Sequence, residues 1–171
     1  MAWNDMAIDA LDALLIELMR SEPRISVLEA ARRLGFARGT IQAHIDKLLR
    51  SGVVKDFGPT IDPGALGYGV TAFVTAQIAQ GERDGDGETI EHLSAIPEVI
   101  EAHTITGDGD LLIRVVAQSN SDLQRVIDRV VSSKSIVRTA TVIVLASPIL
   151  ERTLPLVRSA GAGHANTSNP G

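Results

Sequence analysis

Arg38, Thr40, Gln42, His44, Lys47 and Arg50 fall within one short stretch, RGTIQAHIDKLLR, and their types suit the surface of duplex DNA. Arginine and lysine neutralise phosphates, arginine can fork onto guanine, and glutamine can pair with adenine in the major groove. A second group, Gly107-Asp108-Gly109-Asp110, suits a small zwitterion. Glycines let backbone amides face a carboxylate, and an aspartate can accept from an ammonium group. The same four residues are also ordinary turn chemistry that needs no ligand.

The elements that must carry the first group are readable from spacing. Ile41, Ile45, Leu48 and Leu49 recur at helical intervals, which predicts a helix over 38–50 with Gly52 as its terminator. Upstream, Ser26 with Glu29 forms the pattern of a capping box, and Leu28, Ala31 and Leu34 supply one buried face. Gly35 can adopt the left-handed conformation that ends this helix, making Gly35-Phe36-Ala37 the turn. Two helices joined by a tight glycine turn, the second basic, have the layout of a helix-turn-helix, whose leading residues are best placed to reach bases. A third amphipathic helix is expected from Met6 to Arg20, on Ile8, Leu11, Leu15, Leu18 and Met19. Between Arg32 and Lys55 the cations Arg32, Arg33, Arg38, Lys47, Arg50 and Lys55 outnumber the acids, although the chain as a whole carries −5.

That overall charge argues against a general nucleic-acid coat, which is usually basic throughout. Aromatic residues at 3% leave few stacking platforms for single strands or RNA, so duplex DNA is the expected partner. With 171 residues and 44% hydrophobic content, one ordinary domain or two small ones can bury a core. No cysteine is present, which excludes disulfides, thiolate catalysis and cysteine-ligated metal. No apolar run is long enough for a bilayer and no signal-peptide order opens the chain, so a cytoplasmic location without membrane contact is expected.

Val53 to Phe57 reads as a short strand, followed by the breakers Gly58-Pro59 and Asp62-Pro63-Gly64. Beyond them come a strand at 70–78, a charged flexible loop from Gly81 to Gly87, a helix at 88–96, a strand at 99–106 and its hairpin partner at 111–117. A helix capped by Asn120 or Ser121 then runs to about 132, with Leu123, Val126, Ile127, Val130 and Val131 inward, and a strand closes over 137–146. This order is the split βαβ pattern of a ferredoxin-like sandwich. Strands apolar at most positions suggest that the uncovered sheet face meets a second copy of itself. The tail from Gly161 reads as disordered.

On Asp9-Ala10-Leu11-Asp12, Arg24-Ile25-Ser26, Ala30 to Gly35, Ile41 to Val54, Ile61-Asp62-Pro63 and Leu66-Gly67, the sequence resembles the Lrp/AsnC family of transcription regulators. Gly107 to Leu112, Arg138-Thr139, Thr141 to Leu145 and Leu154-Pro155-Leu156 extend the resemblance into the second half. It implies an α+β fold, with a winged-type helix-turn-helix domain followed by a ferredoxin-like βαββαβ domain of the RAM or ACT-like kind. The expected divisions are 1–57, a linker at 58–69, a sensing and assembly domain at 70–157, and a disordered tail at 158–171. The implied function is sequence-specific regulation of transcription by duplex DNA binding through helix 38–50. A small effector, an amino acid in this family, would sit between dimers at Gly107, Asp108, Gly109 and Asp110. Homodimers would assemble to tetramers, octamers or larger, without a cofactor.

Three positions depart from the family pattern. Ala37 stands where the family commonly has a capping serine, His44 where an arginine is usual, and Gly109 where the effector turn carries an aromatic. An enzyme similar to the siroheme decarboxylases is the alternative on the same two-domain fold, with His92, His103, Arg114 and Arg138 as its candidate residues. Their spacing matches neither a metal site nor a triad. A regulator-derived scaffold without DNA binding is a third reading, which Arg38, Gln42, Lys47 and Arg50 oppose.

Overall fold

The computed structural model describes residues 8–79 and 85–163. The chain forms two compact units, one of residues 1–59 with 149–171 and the other of residues 60–148. Among the described residues, no helix is long and apolar enough to cross a membrane.

The first unit opens on Asp9, whose carboxylate accepts from the Asp12 N–H at 2.8 Å while the Asp9 N–H donates to Asp12 at 3.0 Å. This reciprocal cap starts helix α1 at Ala10, not at 6, and α1 runs Ala10–Ser21. Met6 and Ala7 lie outside the described residues. Helix α2 is Val27–Leu34 and helix α3 is Arg38–Arg50. Ser26 caps α2 by accepting from the Glu29 N–H at 3.2 Å. The box is not closed, because both Glu29 oxygens are taken by Arg32 and Arg33. The inward face of α2 also differs from expectation: Ala30 and Ala31 are buried, whereas Leu28 is 67% exposed. Small residues at the contact let α2 approach the core formed by Ile8, Leu15, Ile41 and Leu48.

After Ser51 the chain turns through Gly52 at φ 73°, and residues 53–57 do not form the expected strand. Val54 donates its N–H back to Leu48 instead, and Asp56 accepts from the Gly58 N–H in a local turn. Among the described residues of this unit there is no strand to pair with, so two β-branched valines alone cannot make a wing. The expected tail is also corrected. Residues Leu154–Gly163 form helix α6, so 158–163 are helical, while 164–171 lie outside the described residues. Pro155 is tolerated in the first turn of α6. This helix packs on α1: Val157 joins the core, Arg158 Nε bonds Glu17 at 2.5 Å, and Gly161 approaches so closely that an added Cβ would lie 2.7 Å from Ala13 Cβ.

The second unit begins with a single 3₁₀ turn at Gly64–Leu66. Its elements are β1 Val70–Ile78, α4 Gly85–Ser94, β2 Val99–Thr104, β3 Leu111–Ala117, α5 Asn120–Val131 and β4 Ile136–Ile143. Helix α4 thus starts earlier than expected, and Gly85 to Gly87 are helical rather than loop; residues 80–84 lie outside the described residues. Ser119, not Asn120 or Ser121, caps α5 by accepting from the Asp122 N–H. The four strands form an antiparallel sheet in the order β2-β3-β1-β4. Ala72, Val74 and Ala76 stand beside Val115, Ile113 and Leu111 and pack against Leu93 and Ile96 of α4 and Leu123, Val126 and Val130 of α5. Among the described residues, no helix of this unit covers the opposite face, with Phe73, Thr75, Leu112 and Val142. There Val142 is 67% exposed.

Candidate functional site

Helix α3 is aimed by the turn before it. Gly35 takes φ 75°, and the N–H groups of Gly35 and Phe36 both donate to Ala31 O. Only a glycine adopts that conformation at no steric cost, so the chain reverses within three residues. Ala37 then occupies the N-cap in extended conformation with no side-chain bond to the helix start.

The six candidate side chains of α3 do not share one solvent face. Arg38 and Arg50 are exposed and make no hydrogen bond or ion pair among the described residues. Gln42 is exposed and its amide donates to Asp46 at 2.9 Å. Thr40 is half-buried. His44 and Lys47 turn toward α1. Lys47 Nζ lies 2.5 Å from Asp12 Oδ2 and 3.4 Å from Asp9 Oδ2, and His44 Nδ1–H donates to Asp12 Oδ1 at 2.7 Å. A carboxylate within the helical core thus draws both side chains inward.

Asp12 is 0% exposed. Burial pushes its carboxyl up, but hydrogen bonds from Lys47, from the Asp9 backbone and from His44 outweigh burial and hold it below its ordinary value. Lys47 is raised, chiefly by its hydrogen bond to Asp12. Asp9, Asp12 and His44 are also the group whose ligand atoms lie within 4.8 Å of one another. The Lys47 ammonium already fills the cation position there, so the geometry is that of an ion-pair network and not of a metal centre.

Elsewhere the local basic patch is partly neutralised. Arg32 and Arg33 bond Glu29, which they hold down to about 2, the Arg32 hydrogen bond contributing most, and Arg33 also reaches Glu22. The unpaired cations Arg38 and Arg50 therefore dominate what α3 offers to an anion.

The turn after β2 builds the second candidate. Gly107 takes φ 119°, Ile105 N–H donates to Asp110 O, and Asp110 N–H donates to Ala76 O. The Asp110 carboxylate accepts from the Ile78 N–H at 2.7 Å, and the Gln77 amide donates to Asp108 O at 2.6 Å. Asp110 is thus engaged in tying the turn to β1. Asp108 presents a carboxylate with no partner among the described residues. Gly109 is buried, and an added Cβ would collide with Thr75 Cγ2 and stand 3.2 Å from Ala76 O. A cleft of about 280 Å³ opens here, lined by the turn together with Gln77, Ile78 and Val137. Those three lining residues escaped the sequence reading, because strand pairing alone brings them to the turn. Among the described residues no lysine or arginine lines the cleft, so from these a bound carboxylate would rely on backbone N–H groups.

The four residues of the enzyme alternative do not form one cluster, although two of them meet at Glu101. His92 Nε2 bonds Arg129 O at 2.8 Å between α4 and α5, on the helical side of the sheet. Arg114 and His103 both pair with Glu101, and Arg138 pairs in register with Gln77 on the open side.

Two family models match the chain. One, described as winged helix-turn-helix DNA-binding, covers residues 8–55, and the other, described as the Lrp/AsnC ligand binding domain, covers 71–154. The HTH-type transcriptional regulator FL11 of Pyrococcus horikoshii is 30% identical over 149 residues, spanning 87% of this chain and 97% of that protein. The solved structure of Escherichia coli AsnC superposes with a TM-score of 0.77 at 29% identity, over 86% of this chain and 99% of that one. A feast or famine regulatory protein from M. tuberculosis, solved in complex with L-methionine, superposes at 0.72 with 24% identity, over 85% of this chain and 97% of that one. At that identity it speaks to the fold alone.

Proposed function

Because this chain belongs to the Lrp/AsnC family of transcriptional regulators, we propose that it reads duplex DNA by laying α3 in the major groove, with Arg38, Gln42 and Arg50 toward the nucleic acid. The observation that carries this is the exposure of Arg38 and Arg50 at the two ends of α3, free of any acidic partner among the described residues, in a chain of net charge −5. Unpaired guanidinium groups are what counterion release from phosphates requires. Thr40 is half-buried, and His44 and Lys47 are secondary for DNA because both are engaged with Asp12.

The cleft at Gly107, Asp108, Gly109 and Asp110 takes an amino-acid effector, its ammonium at Asp108 and its carboxylate at the turn's backbone. L-methionine is the first candidate, since a family neighbour was solved with it. The uncovered sheet face makes the chain a homodimer, and dimers assemble further into tetramers or octamers, so that an effector bound between dimers changes the spacing of the DNA-reading units. Residues 1–57 serve as the reading domain, 58–69 as the linker, and the ferredoxin-like unit as sensor, all acting in the cytoplasm. The relatives named above are regulators of transcription.

The test is a fluorescence-anisotropy titration against the protein's own upstream DNA and a scrambled duplex at one salt concentration, with and without L-methionine. Preferential binding altered by the amino acid is expected. Equal, weak binding to both duplexes under each condition contradicts the proposal.

A further inference from the structure

We infer that Asp12 is a positioning residue for DNA recognition: through Lys47 and His44 it fixes the roll of α3 about its own axis and keeps both of those side chains out of the protein–DNA contact. The inference rests on the reading of α3 as the DNA-binding helix. Its ground is the geometry of one buried carboxylate. Asp12 is fully buried in α1, and its oxygens take donors from two elements: His44 Nδ1 on one, and Lys47 Nζ together with the Asp9 N–H on the other. Residues 40, 44 and 47 follow one flank of a helix, so two of the three positions on the α1 side of α3 are joined to the same point.

A buried ionised carboxylate is costly without a paired partner, and the asymmetry is steep when only one member of the pair is removed. Swinging Lys47 out to a phosphate would leave Asp12 with only the His44 imidazole and one backbone N–H. The Lys47 side chain is 43% exposed and long enough to be mistaken for a phosphate contact, yet the carboxylate holds its charge inward. With that flank fixed, the stripe turned outward holds Gly39, Ala43, Asp46 and Arg50, with Gln42 beside it. Gly39 and Ala43 give the helix a thin outer wall, so its backbone can approach the groove, with Arg50 at the end of that stripe and Gln42 beside it. A different roll would place Lys47 at the DNA and remove Arg50 from it.

The experiment is the salt dependence of binding to the protein's own upstream duplex, measured by anisotropy for wild type, Asp12→Asn, Lys47→Met and Arg38→Ala, with thermal melts as a check of folding. Asp12→Asn gives the sharpest contrast because it is isosteric and releases Lys47. The inference predicts that Asp12→Asn weakens binding about tenfold, and that Lys47→Met does the same while leaving the slope of log K against log salt unchanged. In the double variant the two effects should not add, as expected for residues acting as a unit. Binding strengthened by Asp12→Asn, or a slope flattened by about one phosphate in Lys47→Met, would overturn it and make Lys47 a direct contact. If Lys47→Met does not fold, the sign of the Asp12→Asn effect alone decides. Arg38→Ala flattening the slope supports the DNA reading independently of the outcome for Lys47, whereas failure of wild type to bind any duplex overturns both.

Discussion

At the scale of single residues, the side chains of the first unit are organised around Asp12 more than around any exposed cation. Its carboxyl lies below the ordinary value of 3.8, because hydrogen bonds from Lys47, the Asp9 backbone and His44 outweigh the opposing effect of burial. A depressed folded-state value means stability that is present above the unfolded value and lost as pH falls through the folded one. The urea midpoint of wild type is therefore expected to drop as pH is lowered below about 4, and Asp12→Asn should drop less over that window. Equal acid sensitivity in the two proteins would remove Asp12 as the source. Gly109 makes a second prediction of this kind. Since its Cβ has nowhere to go beside Thr75, Gly109→Ala should cost about 1–3 kcal/mol by thermal melt. It should also blunt the response to L-methionine while sparing DNA binding without it. Of these features, Asp12 left a trace in the sequence: it stands four residues after Ile8 and three before Leu15, an acid on an otherwise apolar stripe. Its partners stayed hidden because Lys47 is 35 positions away and nothing local says which way its chain turns.

Elements were legible where local chemistry decides them. Helix 38–50 and strand 111–117 follow directly from apolar spacing and from β-branched runs between turns, and the structure has both with those bounds. Elements that depend on distant partners were not. Val53-Val54 has strand propensity but no neighbouring strand among the described residues, and Leu154-Pro155-Leu156 becomes helical because Val157, Arg158 and Gly161 dock on α1. Leu28 sits at the right helical interval for burial and stays exposed because the two alanines take the contact. The same reasoning gives a test at the start of α3. Ala37 already has the extended backbone of an N-cap and lacks only a side-chain acceptor. Ala37→Ser should add about 1 kcal/mol of stability, read as a raised denaturation midpoint. No gain would mean that the orphan N–H groups of α3 are satisfied in another way.

For the whole molecule, charge and architecture together determine how DNA binding can work. A chain at −5 is repelled by a polyanion at long range, so affinity must come from a few local contacts and must fall steeply with salt. Pairing within the first unit consumes Arg32, Arg33 and Lys47, which concentrates the available positive charge of α3 at Arg38 and Arg50. In the homodimer proposed above, two reading units on one two-fold axis would multiply those few contacts. The measurement that tests this account most directly compares the salt dependence of operator binding in wild type and in the Arg38→Ala/Arg50→Ala variant. Two lost phosphate contacts per reading unit predict weaker binding and a slope shallower by about 1.8 for each unit engaged; an unchanged affinity and slope would contradict the assignment of α3 as the DNA-reading helix.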